Sequence, residues 1–182
     1  LKVTEEDRAM LHDALQQLFD KFSGYANEYL LYDCVKQQTA FLEKNSIQNS
    51  TNLFYVADYL FAGEFQFKRP HIVRNREKFP NLNTDDIIRA FFFDKTVISY
   101  SDYLEFIKEV QLSMGTSYAV FKHIEQDLVR ISEDAYIKKE QFHLCAEAVE
   151  QIYQVIRRHI GKDGYLPIIK IDFYEELPEI GF

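Results

Sequence analysis

The chain has 182 residues, 47% of them hydrophobic, and a formal net charge of −8. That length suits one domain or two small ones, and so large an apolar share excludes a disordered chain. The acidic balance argues against broad affinity for nucleic acid or anionic membrane.

No run of about eighteen apolar residues occurs, so no membrane span is expected, and with no visible signal peptide the expected location is cytoplasmic. Beginning at Leu1 rather than Met, the sequence reads as part of a longer protein. Few Gly and Pro favour helices over a turn-rich sandwich. Sixteen Phe and twelve Tyr without Trp point to an aromatic core with phenols at its rim. Cys34 and Cys145 each fall on an apolar helical stripe, which predicts two buried, reduced thiols.

In chain order, Thr4 followed by Glu5, Glu6 and Asp7 predicts a helix start, and Leu11, Ala14, Leu15, Leu18 and Phe22 supply its apolar face. Ser23-Gly24 ends it. A second helix is expected from about Asn27 to Lys44, with Leu31, Cys34, Val35, Gln38, Phe41 and Leu42 on one side. A third begins at Thr51 and buries Leu53, Val56, Ala57, Leu60 and Phe61. Phe65-Gln66-Phe67 then alternates like a strand, Pro70 interrupts, and Ile72-Val73 reads as the returning strand.

Arg74 to Leu82 reads as a polar linker and the best candidate boundary, dividing the chain into residues 1–80 and 81–182. Asn83 to Asp86 then caps a short apolar helix carrying Ile87, Ile88, Phe91 and Phe92. Val97–Tyr100 is expected to be a strand, and Ser101 to cap a helix with Tyr103, Phe106, Ile107, Val110 and Met114 on one side. From Thr116 another helix carries Val120, Phe121, Ile124 and Leu128. Val129 and Ile131, then Ala135 and Ile137, alternate across a Ser132-Glu133-Asp134 corner as two strands. Ile107, Val110, Phe121, Ile124 and Ile137 are expected to be buried together. A long helix from about Lys139 to Ile160 should bury Phe142, Cys145, Ala146, Val149, Ile152, Tyr153, Ile156 and Ile160. In the acidic-ended tail, Leu166, Ile168, Ile169, Ile171 and Phe173 suggest a strand docked on its own chain.

Strand, helix, turn, helix and two-stranded ribbon is the order of a winged helix. The stretch from Ser99 to Phe142 resembles that fold, and Asn27 to Val73 resembles it more faintly, as though it were a degraded copy. Thr51-Asn52-Leu53 stands against Thr116-Ser117-Tyr118, and basic pairs (Lys68-Arg69, Lys138-Lys139) follow each ribbon's start or end. Chance agreement of apolar periods is the rival to a true repeat. The expected fold class is thus mainly α with short β hairpins, as winged-helix-like units plus flanking helices. The resemblance implies either DNA binding or, in acidic versions, protein docking within chromosome-organising and transcription assemblies.

No motif for catalysis, nucleotide or cofactor binding is present, so no enzyme and no cofactor is expected. The five histidines show no metal-ligand spacing, and a metal-dependent enzyme using scattered carboxylates is the weakest alternative. Lys68, Arg69, Arg74 and Arg76, with Lys122, Lys138 and Lys139, are the candidate phosphate contacts; an ordinary solvated linker explains the first group as well. Neither presumed recognition helix offers an arginine, the commonest reader of guanine. The first expectation is therefore a protein-interaction module whose partner is another chain. A DNA-binding regulator that uses the basic segments is the second.

Overall fold

The computed structural model describes residues 1–93, 95–160 and Gly164, the side chain of Phe93 excepted. Thr4 opens α1 (Glu5–Lys21) through a reciprocal capping box: its hydroxyl accepts from the Asp7 amide at 3.2 Å, and the Asp7 carboxylate accepts from the Thr4 amide at 2.8 Å. Leu11, Ala14, Leu15, Leu18 and Phe19 form the buried stripe. Ser23 and Gly24, both at positive φ, turn the chain into β1 (Tyr25–Asn27), a buried strand that no helical periodicity announces.

The single helix expected over 27–44 is two. Asn27 caps α2 (Glu28–Val35), accepting from the amides of Tyr29 and Leu30, and a turn at 36–38 precedes α3 (Thr39–Lys44). The polar run Lys36-Gln37-Gln38 is exposed and has nothing to bury, so the chain bends there while Leu31, Val35, Phe41 and Leu42 still reach the core. Cys34 points outward, and so does Cys145, so the expectation of buried thiols was wrong for both.

Asn49 caps α4 (Ser50–Phe61), and β2 (Gln66–Lys68) turns at Arg69-Pro70 into β3 (His71–Val73). The Arg69–Pro70 peptide is cis. The strands pair antiparallel in the order β1-β3-β2, with Ile72 opposite both Ala26 and Phe67.

A second set of elements repeats the order, without a counterpart to α3. It comprises α5 (Thr84–Phe93), β4 (Val97–Ser99), α6 (Tyr100–Glu109), α7 (Met114–Ile124), β5 (Leu128–Arg130) and β6 (Ala135–Lys138). Its sheet order is β4-β6-β5, again with the last strand in the middle. The correspondence extends to single bonds. Asn27 and Ser99, each the last residue of a first strand, cap the helix that follows, so the cap is Ser99 and not Ser101. The amide opening each of those helices donates to the residue just ahead of the hairpin's return strand, Glu28 to the Pro70 carbonyl at 2.9 Å and Tyr100 to the Asp134 carbonyl at 2.8 Å. Asp134 adds carboxylate contacts to both Ser99 and Ser101, which hold its pKa below the ordinary value. Among the described residues the architecture is mainly α with two short three-stranded antiparallel sheets.

Two apolar cores result, and α5 lies between them. Ile87 joins the first with Leu11, Leu31, Leu53 and Ile72, while Ile88 and Phe92 join the second with Tyr103, Ile107, Phe121 and Tyr136. The expected cluster is therefore corrected at two positions. Val110 packs in the first core, and Ile137 is half-buried because Tyr136 points inward from β6. Met114, expected on the α6 stripe, opens α7 and is exposed. The segment 74–82 is less polar than its sequence suggests, since Phe79 and Leu82 are both buried in the first core.

The end of α6 is tied to the first set of elements. The Asn27 side-chain amide donates to the Val110 carbonyl at 2.5 Å, and Gln111 donates to Asp33 at 2.7 Å. Asn27 also donates to the Tyr25 hydroxyl at 3.3 Å; that hydroxyl lies 3.0 Å from His71 Nδ1, and His71 Nε2 lies 3.5 Å from the Thr84 hydroxyl.

The helix expected from Lys139 begins later. A 3₁₀ turn at Lys139–Gln141 precedes α8 (Ala146–His159), which buries Ala148 and Val155 while Val149, Tyr153 and the capping residue just past its end, Ile160, stay exposed. The expected tail strand over 166–173 lies outside the described residues.

Ser117, inside α7, is buried with no hydrogen-bond partner for its hydroxyl among the described residues. A buried hydroxyl that has lost its water and gained nothing is a net cost, and alanine is the better helix former. Ser117→Ala is expected to raise the unfolding free energy by about 1 kcal/mol in urea titrations.

Candidate interaction surface

The last helix before the hairpin in each set, α4 or α7, presents a free outer face. On α4, burial of Leu53, Val56, Ala57 and Phe61 turns Asn52, Tyr55 and Tyr59 outward. Tyr55 and Tyr59 are 57% and 77% exposed and stand one helical turn apart. The Tyr55 ring is held edge-on against buried Phe54, 5.5 Å between centroids. Tyr29 at the start of α2 is also exposed, and both Tyr29 and Tyr55 lie near Arg69. On α7 the corresponding outer residues are Tyr118, 55% exposed, with Lys122 and His123.

The candidate cations are dispersed, and most are engaged. Lys68 donates to the Asn81 carbonyl at 2.8 Å. Arg69 grips the buried Glu28 carboxylate through two nitrogens, at 2.8 and 3.3 Å, and also reaches Thr51. That carboxylate raises the Arg69 pKa, and losing Arg69 would leave a buried charge unpaired. Arg74, at the other end of the hairpin, bonds Gln16 and Asp20 and lies over the Phe19 ring. Lys122 pairs with Glu125 at 2.6 Å and sits over Tyr118. Arg76 and Lys139 are exposed.

Lys138 and Lys139 do come together. With Arg89 they line a cavity of about 510 Å³ whose floor is Phe92, Ile124 and Leu128, and the acids Asp127 and Glu140 share its rim. A second cavity of about 270 Å³ has Phe22, Tyr25, Phe79 and Phe106 in its lining and Lys78 and Lys95 beside them. Among the described residues no group of three or more His, Cys, Asp or Glu could hold a metal ion. Nor is any described helix long and apolar enough to cross a membrane.

The tyrosines as a group suggest a protein interface from sequence alone, but these two faces could not be singled out, because sequence gives the number of Tyr residues and not which are outside. The usable signal was the α4 stripe, whose buried positions leave 52, 55 and 59 on the opposite side. Compared with family models, curated proteins and solved structures, the chain matches none.

Proposed function

We propose that the chain is a cytoplasmic protein-interaction module built from two winged-helix-like units, and a component of a nucleic-acid-handling, chromosome or transcription assembly. The observation that carries this reading is what α4 and α7 present to solvent. In a winged helix the helix after the turn is the one that enters a DNA groove. Here that helix offers Tyr55 and Tyr59 in one unit and Tyr118 in the other, while Arg69, Arg74 and Lys122 are held in ion pairs within the chain. Tyrosine supplies a large apolar contact with a wet tip, the chemistry of protein interfaces rather than of phosphate contact. The overall charge of −8 points the same way.

A DNA-binding regulator is the second reading, favoured by exposed Arg76 and by Lys139 beside Lys138 and Arg89. Two measurements separate the readings. A photo-crosslinking amino acid at position 59, in cells of the source organism, should give a discrete protein adduct that the same probe at exposed Glu6 does not. Duplex DNA titrated at physiological salt should bind more weakly than about 10⁻⁴ M, the loose end of non-specific affinity there. Submicromolar duplex binding that falls steeply with salt and is lost in Arg76→Ala/Lys139→Ala would replace the first reading with the second.

A further inference from the structure

Helix α8 carries apolar side chains on more of its circumference than it buries. Ala148 and Val155 are inside, yet Val149, Tyr153 and Ile160 are 52%, 47% and 43% exposed, with Ile156 half-buried between them. Ala146, Val149, Tyr153, Ile156 and Ile160 recur at alternating spacings of three and four, the seam of a two-stranded coiled coil. We propose that this seam pairs α8 with α8 of a second copy of the chain, antiparallel about a two-fold axis.

The flanking charges choose both the occupant and the direction. When two such helices run antiparallel with Tyr153 against Ile156 of the second copy, Val149 meets Ile160 of the second copy at the next layer. Glu150 and Arg157, both beside the seam, then face each other's counterparts, and the two-fold axis makes the contact twice. In a parallel pair the flanking contacts would be Cys145 with Glu150 and Ile152 with Arg157, which gain no charge pairing. Arg157 already lies over the Tyr153 ring at 4.6 Å, so its guanidinium is at the edge of the seam. This pairing does not depend on the tyrosine faces of α4 and α7.

A helix of this length spans only about 21 Å, so the interface is at the small end and the dimer should be weak, roughly micromolar to tens of micromolar. Sedimentation equilibrium of the full chain over that range should show monomer and dimer. Glu150→Arg alone and Arg157→Glu alone should each weaken the dimer by about tenfold or more, because each places like charges together twice. The double variant, with the charges exchanged, should recover the original constant to within about threefold, and a mixture of the two single variants should pair with each other. Helical circular dichroism confirms that each variant is folded, and Tyr153→Ala gives an uncharged check on the seam. A chain monomeric at every concentration, as would follow if residues 165–182 covered the stripe, overturns the proposal. Dimerisation indifferent to both charge reversals overturns it equally.

Discussion

Phe121→Ala is expected to lower the unfolding free energy by about 3–5 kcal/mol, the usual cost of truncating a buried aromatic side chain. The ring is fully enclosed and sits where four elements meet. Its centroid lies 4.9 Å from Tyr100 and from Tyr103 on α6, 5.6 Å from Tyr136 on β6 and 6.2 Å from Phe92 on α5. Truncation leaves a cavity whose walls cannot collapse easily, because Tyr103 is fixed by its hydroxyl's bond to the Ser117 carbonyl at 2.7 Å. Urea unfolding should show a lower midpoint with an unchanged slope. Exposed Tyr118→Ala, on the same helix, should stay within about 0.5 kcal/mol. A loss below about 1 kcal/mol at Phe121 would mean that this aromatic cluster does not hold the second set of elements together.

What could be read from the sequence follows the range of each signal. The first helix was legible because its cap, its first-turn acids and its stripe all lie within one segment, Thr4 to Phe22. The hairpin at 128–138 was legible as two alternating runs, but its inward face was not. Leu128 points inward on β5 and Tyr136 on β6, one residue away from the expected Val129 and Ile137, and in a strand a slip of one residue exchanges the faces. A three-residue strand such as β1 is too short to carry any period. For α8, periodicity identified an apolar stripe but could not identify what lies against it, and the buried side is centred on Ala148 and Val155. The pairing of the candidate cations was illegible for a different reason. Sequence records that Arg69 and Arg74 are basic, but their partners Glu28 and Asp20 stand 41 and 54 residues away and meet them only in the folded chain. A charge can be counted locally; whether it is already paired is a tertiary fact.

Stability should fall as the pH is lowered through the range set by His71, whose buried ring joins β3 to the start of α5. Its pKa is pushed down to about 4, first by burial, then by the nearby Lys68 charge, with Asp86 opposing in part. The hydrogen bonds agree with a neutral ring. The buried Tyr25 phenol keeps its proton, because burial raises its pKa well above the ordinary value. Asn27 donates to the Tyr25 oxygen, Tyr25 can then donate to His71 Nδ1, and the Nε2 proton is left facing the Thr84 oxygen. A proton on Nδ1 would set two donors against each other. The unfolded ring takes its proton near pH 6.5, so between pH 6.5 and 4 the unfolded state binds more protons than the folded one. The stabilisation is therefore complete above pH 6.5 and is lost as the pH drops through the folded value, by about 2 kcal/mol between pH 7 and pH 5 and about 3 kcal/mol by pH 4. The lowered carboxyl of Asp7, at about 2, acts in a separate window below pH 4. Urea unfolding of the wild type and of His71→Gln at pH 7, 6, 5 and 4 isolates the effect, since the other titrating groups cancel in the difference. The wild type should lose its advantage as the pH falls, and parallel curves for the two proteins would show that His71 does not remain neutral in the folded chain for the reason given.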